Sequence, residues 1–267
     1  MSGRQVVIAP GRAERPNAAR GQLEPPTPDE LAACPFCAGR EHLTPPELLR
    51  LPADGPWAVR VVPNKYPAFE RHEVVVHSAT HVRSIAELGD PQLELVAEAW
   101  QRRRRAAPDG YLFACLNEGR EAGASLPHSH SQLVWLEDVP PAVVRERNPG
   151  ATLDGDRVLE TNGVVAVSPA AAREPYELRI GPVRQEAEAF ESARLGVALG
   201  VLAEAIRRLG RLEGPVPLNA WLHTSAWWHF ELVPRLTVPA GLELGAEIYV
   251  NPLPPEEAAE RLRDVSP

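Results

Sequence analysis

The chain of 267 residues contains no apolar run near the length needed to cross a membrane. A transmembrane helix requires about 20 consecutive, predominantly apolar residues. The opening residues, Met-Ser-Gly-Arg-Gln-Val-Val-Ile, also lack the apolar region of a secretory signal peptide before arginines and prolines follow. From these absences we expect a cytoplasmic protein without a membrane partner.

A surplus of basic charge is also lacking, because 28 Lys and Arg stand against 36 Asp and Glu, a net charge of −8. A general nucleic-acid binder needs a surplus of cations to neutralise phosphates. We therefore expect no nucleic-acid partner. The one basic run, Arg102 to Arg105, ends a predicted helix, where cations favour the helix C-terminus, and we interpret it as a solvated helix end.

Only three cysteines are present, too few for a disulfide framework. Two of them form Cys34-Pro-Phe-Cys37, a spacing used either by a zinc site or by a redox pair. A redox pair should open a helix after a strand, whereas glycine and two consecutive prolines follow here. We therefore predict a structural zinc ion, with His81 and His128 as candidates for the two remaining ligands.

The order of predicted elements repeats along the chain. Each half runs strand, turn, strand, long helix, strand, strand, with the helices predicted over about 91–105 and 186–209. The last strands echo each other as His130-Ser-Gln-Leu-Val and His229-Phe-Glu-Leu-Val. We predict an α+β fold of two tandem domains, 1–145 and 146–267, each a mainly antiparallel sheet with a long packed helix.

The densest chemistry lies on one predicted strand. Alternate strand residues share a face, so His128, His130 and Gln132 should point to the same side. The alternative is a pair of histidines satisfied by neighbours on a half-exposed strand. With His128 assigned to zinc, His130 is left for catalysis. A neutral imidazole can attack phosphorus if its other nitrogen is held protonated by a backbone carbonyl.

Hydrogen-bond donors accompany this histidine in the sequence. Gln132 can donate to a phosphoryl oxygen without transferring a proton, and Ser125 and Asn117 flank a glycine-rich turn that can supply further donors. The alternative of a different class is a nucleotide-binding scaffold without turnover. The complete set of Asn117, Ser125, His130 and Gln132 argues against it, since a scaffold has no need of these residues together.

These residues resemble the galactose-1-phosphate uridylyltransferase branch of the histidine-triad superfamily. The run Leu-Pro-His128-Ser-His130-Ser-Gln132 is similar to the family's histidine strand, and the cysteine pair is similar to its zinc clamp. The segment Val-Val-His-Ser-Ala-Thr-His81 is similar to the one that gives a third zinc ligand. The resemblance extends over nearly the whole chain.

Two further motifs carry the resemblance to the substrate site. Ala-Pro-Gly-Arg12-Ala-Glu-Arg15-Pro looks like the arginine motif that contacts nucleotide-sugar phosphates, and Asn64-Lys-Tyr-Pro-Ala looks like the segment lining the nucleoside pocket. The resemblance implies two tandem histidine-triad-like domains, a zinc cofactor and a homodimer in which some site residues cross the interface.

The reaction implied by the resemblance is ping-pong nucleotidyl transfer in galactose metabolism. His130 would attack the α-phosphorus of a nucleotide sugar, sugar 1-phosphate would leave, and a second sugar 1-phosphate would take the nucleotide, with UMP the nucleotide expected. Histidine-triad hydrolases carry a third histidine where Gln132 stands. A glutamine cannot protonate a leaving group, so transfer is favoured over hydrolysis.

Two segments depart from the family pattern. Trp227 stands where a further metal-binding histidine would accompany His223 and His229, so we expect the family's second metal site to be missing or weakened. The hexose-binding segment, residues 239–247, lacks the family's Lys and Tyr but ends on Glu247, which we keep as a substrate-binding candidate.

The altered segment suggests an alternative reaction. Its Gly-Leu-Glu-Leu-Gly sequence, followed by Ile-Tyr-Val-Asn-Pro, resembles relatives of the ADP-glucose phosphorylase type. The alternative is therefore a phosphorylase of an ADP-sugar or a dinucleoside polyphosphate, with inorganic phosphate as the acceptor.

Overall fold

A computed structural model describes residues 5–14, 23–146 and 153–265. The strands in these ranges are β1 (Gln5–Ile8), β2 (Leu49–Leu51), β3 (Val59–Pro63), β4 (His72–Val76), β5 (Tyr111–Glu118), β6 (His130–Leu136), β7 (Gly155–Thr161), β8 (Val164–Pro169), β9 (Leu178–Pro182), β10 (Leu218–His223), β11 (His229–Pro234) and β12 (Ile248–Asn251). The α-helices are α1 (Pro28–Ala33), α2 (Asp90–Ala106), α3 (Pro141–Arg145), α4 (Leu195–Glu213), α5 (Gly241–Ala246) and α6 (Pro255–Asp264).

Ten strands form one antiparallel sheet in the order β2-β3-β4-β6-β5-β10-β11-β9-β8-β7. The order is symmetric about the central pair of β5 and β10, because β3-β4-β6-β5 on one side corresponds to β8-β9-β11-β10 on the other. The predicted α+β fold of two repeated units is thus confirmed, and the two units share a single continuous sheet. The predicted boundary at residue 145 falls at the end of α3 and stays a prediction.

The two long helices occupy corresponding places in the two units. Helix α2 begins with a proline in its first turn and buries Leu93, Val96 and Trp100 at helical spacing, while its basic residues cluster in the last turn. Helix α4 begins at Leu195, later than predicted, because a 3-10 turn precedes it. No helix in the described part of the chain has the length and apolarity required to span a bilayer.

Helices α2 and α4 pack against each other through a glycine. A Cβ added to Gly196 would overlap the carboxylate of Glu94, so a larger residue here would require the end of the Glu94 side chain to move. The helices cover one face of the sheet with the main apolar core, which includes Leu133, Leu116 and Ile180. The opposite face is therefore free to carry polar side chains.

The register shows which polar residues share that opposite face. Directly paired residues of antiparallel strands lie on the same side. Gln132 pairs with Cys115, which pairs with Trp221, which pairs with Glu231. The histidine strand of the first half and its counterpart in the second half therefore present their polar side chains to the same face.

A small apolar cluster covers the first-half end of this polar face. It consists of Cys34, Phe36, Trp57, Val62, Val74 and Val76. Val74 and Val76 lie opposite Gln132 and His130 in the β4–β6 register. The segment bearing the cysteine pair is thereby packed beside the histidine strand.

The junction of the two units supplies a test of the single sheet. Leu116 lies on β5 opposite Ala220 of β10 and is 3% exposed. Leu116→Ala should lower the free energy of unfolding, measured in urea, by about 2–5 kcal/mol, because a buried leucine leaves a cavity. Leu244→Ala, at a position 76% exposed, should change it by less than about 0.5 kcal/mol. Equal values for both variants would contradict this packing.

Candidate functional site

Four predicted metal ligands come together beside the histidine strand. Cys34 and Cys37 follow α1, His81 follows β4, and His128 precedes β6. Their donor atoms all lie within 4.8 Å of one another. Nδ1 of His128 is 3.3 Å from Sγ of Cys34 and 3.7 Å from Sγ of Cys37, which is 3.5 Å from Nδ1 of His81.

Hydrogen bonds outside this group orient both imidazole rings. Nε2 of His81 lies 2.9 Å from Oε1 of Glu30, and Nε2 of His128 lies 3.0 Å from the carbonyl oxygen of Ser78. A carbonyl oxygen only accepts, so Nε2 of His128 carries the proton and its Nδ1 lone pair faces the cysteines. Metal-binding histidines donate their second nitrogen to a carboxylate or carbonyl in this way.

The chemistry of these donors fits a metal ion. Burial and the neighbouring Cys34 raise the pKa of the Cys37 thiol to about 11, so without a cation this thiol stays protonated near neutral pH. A bound divalent ion deprotonates its coordinating thiols. Two sulfur and two imidazole donors are the set found in tetrahedral structural sites. The group could therefore hold a metal ion.

His130 opens strand β6 and is buried. Its Nδ1 lies 2.7 Å from the carbonyl oxygen of His128, so Nδ1 donates and Nε2 keeps its lone pair. Burial lowers the pKa of His130, although this hydrogen bond opposes the shift. The ring of Phe36 packs edge-on at 5.4 Å between centroids. The arrangement favours a neutral imidazole with a free Nε2.

Ser129 and Ser131, which alternate with the histidines along the chain, anchor the strand on the side that faces the helices. His77 lies between two hydroxyls, with Nδ1 3.0 Å from Oγ of Ser129 and Nε2 2.9 Å from Oγ of Ser131. The indole of Trp100 on α2 donates to the same Ser131 hydroxyl at 3.0 Å. Burial lowers the pKa of His77 well below its ordinary value, so the ring packs as a neutral group.

Gln132 is joined to Asn64 through a histidine that sequence analysis missed. Oε1 of Gln132 lies 2.7 Å from Nε2 of His72 on β4, and the amide nitrogen of Asn64 lies 3.1 Å from the same ring nitrogen. Oδ1 of Asn64 accepts from the backbone N–H of Tyr66 at 2.9 Å. His72 stands in a plain valine-rich strand, so no local pattern marked it.

Asn117 has a partner from the second half of the chain, also missed. Asn219 on β10 faces Asn117 in the register and donates from Nδ2 to its Oδ1 at 2.7 Å. The same nitrogen donates to the carbonyl oxygen of Ala122 at 2.8 Å. Only the pairing of β5 with β10, across about 100 residues, could have pointed to this contact.

Ser125 is exposed at the end of the glycine-rich turn. It lines a cavity of about 730 Å³ together with Glu30, Arg83 and Arg120. Glu30 is also the partner of His81, so this cavity adjoins the group of metal donors. The cavity is lined by residues that precede β6, and its lining includes neither His130 nor Gln132.

The remaining predicted substrate ligands lie on a separate ribbon or outside the described residues. Strands β1 and β12 pair in parallel as a two-stranded sheet of their own. Arg12 is exposed just after β1, and Glu247 is exposed between α5 and β12 in the left-handed region, with φ of 53°. No hydrogen bond or ion pair within the described ranges joins either to the histidine strand. Arg15 lies outside those ranges.

A second group of possible metal donors lies in the other half of the chain, where we expected the family's second metal site to be missing or weakened. Glu146, His223, His229 and Glu231 place donor atoms within 4.8 Å of one another. Nδ1 of His223 is 3.0 Å from Oε2 of Glu146. Trp227 does not contribute, because its indole donates to the carbonyl oxygen of Pro182 at 2.8 Å. Four donors are nevertheless assembled, since Glu231 adds a carboxylate.

Some features of this second group favour a bound cation, and others disfavour it. Nε2 of His229 and Oε1 of Glu146 are buried without a hydrogen-bond partner in the described structure, which favours a cation at these atoms. Glu231, however, is paired with Arg173 at 2.8 Å and Arg179 at 3.5 Å. These cations offset its charge, so this group fits a metal ion less well than the cysteine group does.

Comparison with known proteins agrees with this fold and these motifs. The family described as galactose-1-phosphate uridyl transferase, N-terminal domain, matches residues 65–141. ADP-glucose phosphorylase of Arabidopsis thaliana is 28% identical over 100% of this chain and 91% of its own length. Galactose-1-phosphate uridylyltransferase of Thermotoga maritima is 27% identical over 90% of this chain and 91% of its own length.

Comparison with solved structures finds the same similarity. The crystal structure of Arabidopsis thaliana ADP-glucose phosphorylase with bound ADP-glucose matches with a TM-score of 0.86 and 27% identity, covering 98% of this chain and 96% of that one. By sequence and fold, the chain is an enzyme of the nucleotidyltransferase class. It is similar to members of the galactose-1-phosphate uridylyltransferase family, the resemblance that its motifs predicted.

The cysteine group can be tested by metal analysis. Cys34→Ser removes one of four donors, so the purified protein should lose about one equivalent of bound divalent metal and melt at a lower temperature, because ligation is coupled to folding. Cys115→Ser is the matched control, since Cys115 belongs to neither donor group. An unchanged metal content in Cys34→Ser would contradict the assignment.

Proposed function

We propose that the chain transfers a nucleoside monophosphate from a nucleotide sugar to a phosphate-bearing acceptor, through a covalent nucleotidyl-histidine on His130. One observation carries this proposal. His130 donates from Nδ1 to the carbonyl oxygen of His128 at 2.7 Å, which leaves the lone pair of Nε2 available beside Gln132 on the same strand face. A buried, neutral imidazole held in this tautomer is a competent nucleophile toward phosphorus.

The first half-reaction balances without an acid catalyst. Nε2 of His130 forms a bond to the α-phosphorus, and the bond from that phosphorus to the bridging oxygen breaks. Sugar 1-phosphate leaves with the electron pair, and its second pKa of about 6 lets it depart without a proton. An oxygen of the acceptor phosphate then attacks the same phosphorus and releases the imidazole. Gln132, which has no proton to transfer, suits this chemistry.

Positioned donors supply the stabilisation of charge. The side-chain amides of Gln132 and Asn117 and the hydroxyl of Ser125 would donate to the phosphoryl oxygens as charge develops. Arg12 and Arg15 would contact the phosphates, as the resemblance implies. Asn64 and Glu247 would contact the nucleoside and the sugar. A homodimer would allow the ribbon that carries Arg12 and Glu247 to reach a partner's site.

Zinc is the metal we propose for Cys34, Cys37, His81 and His128. Four protein donors fill a tetrahedral shell, so the ion would stabilise structure and hold no substrate. Ligation of His128 would also fix the backbone carbonyl that receives the Nδ1 proton of His130. The metal group would thus set the tautomer of the nucleophile through a single intervening residue.

Two acceptors are compatible with this site. Inorganic phosphate, with an ADP-sugar as donor, is favoured by the similarity to ADP-glucose phosphorylase over the whole chain and by the altered segment 239–247. A hexose 1-phosphate, with UMP as the transferred group, is favoured by the similarity to the uridylyltransferase of Thermotoga maritima. Both routes pass through the same covalent intermediate.

Intact-protein mass spectrometry tests the intermediate. After mixing with ADP-glucose or UDP-glucose, the protein should gain one acid-labile AMP or UMP. His130→Ala should gain neither, whereas the exposed histidine variant His42→Ala should behave as the wild type does. Absence of an adduct with every nucleotide sugar tried would defeat the proposal.

The acceptor is tested on the isolated nucleotidyl-enzyme. Addition of inorganic phosphate should discharge the adduct and release the nucleoside diphosphate within one turnover. In buffer alone the adduct should persist, because Gln132 cannot assist water by taking a proton. Discharge by glucose 1-phosphate or galactose 1-phosphate, and not by inorganic phosphate, would instead establish the uridylyltransferase reaction.

A further inference from the structure

Two amide side chains flank His130, and an amide works as a phosphate ligand in one orientation only. Its NH₂ end donates to a phosphoryl oxygen, whereas its carbonyl end repels it. Asn117 and Gln132 lie on adjacent strands with their side chains on the face of His130, since Gln132 pairs with Cys115 and Asn117 follows two residues later. Each amide therefore needs something that fixes which end points to the ligand.

The orientation of Gln132 follows from a backbone group of fixed polarity. The backbone N–H of Ala68 lies 3.3 Å from Nδ1 of His72 and can only donate, so Nδ1 is the acceptor. The amide nitrogen of Asn64 lies within 3.5 Å of both ring nitrogens, off the in-plane direction of either, so it does not set the tautomer. The neutral ring therefore carries its proton on Nε2, which lies 2.7 Å from the side chain of Gln132. Gln132 must present Oε1 to that proton. Its NH₂ end is left for another partner.

The orientation of Asn117 is fixed in the same manner from the opposite side. The carbonyl oxygen of Ala122 can only accept, so Asn219 presents its NH₂ group to it at 2.8 Å. The second hydrogen of that NH₂ group is donated to Asn117, so Asn117 must present Oδ1 as the acceptor, 2.7 Å from Nδ2 of Asn219. Within the described structure, no protein group accepts from the NH₂ of Asn117 or of Gln132.

We infer that His72 and Asn219 are positioning residues that fix the orientation of the amides of Gln132 and Asn117, so that both NH₂ groups face the transferred phosphoryl group. This inference rests on the function proposed above. Neither residue need touch substrate. His72 accepts from the N–H of Ala68 and therefore donates to Gln132. Asn219 donates to the C=O of Ala122 and, with the same NH₂ group, to Asn117.

The test follows the rate at which the nucleotidyl-enzyme forms, in single-turnover experiments read by mass spectrometry. His72→Phe keeps the ring volume and removes the donor, so the rate at saturating nucleotide sugar should fall about ten-fold, the worth of one hydrogen bond, with little change in the half-saturating concentration. Asn219→Leu should have a similar effect. His72→Gln restores an NH₂ donor and should recover most of the lost rate.

A double-variant comparison separates positioning from general damage to the fold. In a Gln132→Ala background there is no amide left to orient, so adding His72→Phe should cost less than about two-fold. The same holds for Asn219→Leu in an Asn117→Ala background. Undiminished ten-fold losses in these backgrounds, or a His72→Gln rate as low as that of His72→Phe, would overturn the inference.

The outcomes remain distinguishable from failure of the proposed function. A wild type that forms no adduct removes the proposed function and this inference together. A wild type that forms the adduct, with His72→Phe and Asn219→Leu reacting at its rate, removes this inference alone. If either variant fails to fold, as judged by thermal melting, His72→Leu or Asn219→Ala takes its place under the same criteria.

Discussion

The hydrogen bond from Nδ1 of His130 to the carbonyl of His128 joins the two parts of this site. The side chain of His128 belongs to the group of metal donors, while its carbonyl sets the tautomer of His130 two residues later. Strand geometry makes this possible, because alternate side chains share a face while the backbone between them stays in reach. An ion held by His128 would therefore fix both the position and the protonation of the proposed nucleophile.

The second half repeats this local geometry with a different outcome. Nδ1 of His229 lies 3.2 Å from the carbonyl of Trp227, as His130 does from His128. Two residues along, Glu231 stands where Gln132 stands in the first half, and a carboxylate would repel a phosphoryl oxygen. Arg173 and Arg179 form ion pairs with the carboxylate of Glu231 instead. The duplicated unit thus keeps the fold of the site, and its polar residues form an ion-paired cluster without the amide donor.

Residues that act through neighbours in sequence could be predicted, and residues that act through the register could not. The Cys-x-x-Cys spacing and the His-x-His strand are local patterns, so the residues in them could be predicted as candidates. The repeated order of elements likewise predicted the two repeated units. His72, Asn219 and Glu146 carry no local signal, since their partners lie about 60 to 100 residues away. The late start of α4 was also missed, because an apolar periodicity continues through the preceding 3-10 turn.

The side chains that flank His130 on its strand face are amides, which gives the orientation of these amides its importance. Neutral NH₂ groups would therefore supply part of the stabilisation of a phosphoryl group at this position. A cation attracts phosphate in any orientation, whereas an amide reverses its effect when it flips. The orienting group for Asn117 comes from β10, in the other half of the chain. A single α+β unit would lack it, so the central pairing of β5 with β10 completes the site as well as the sheet.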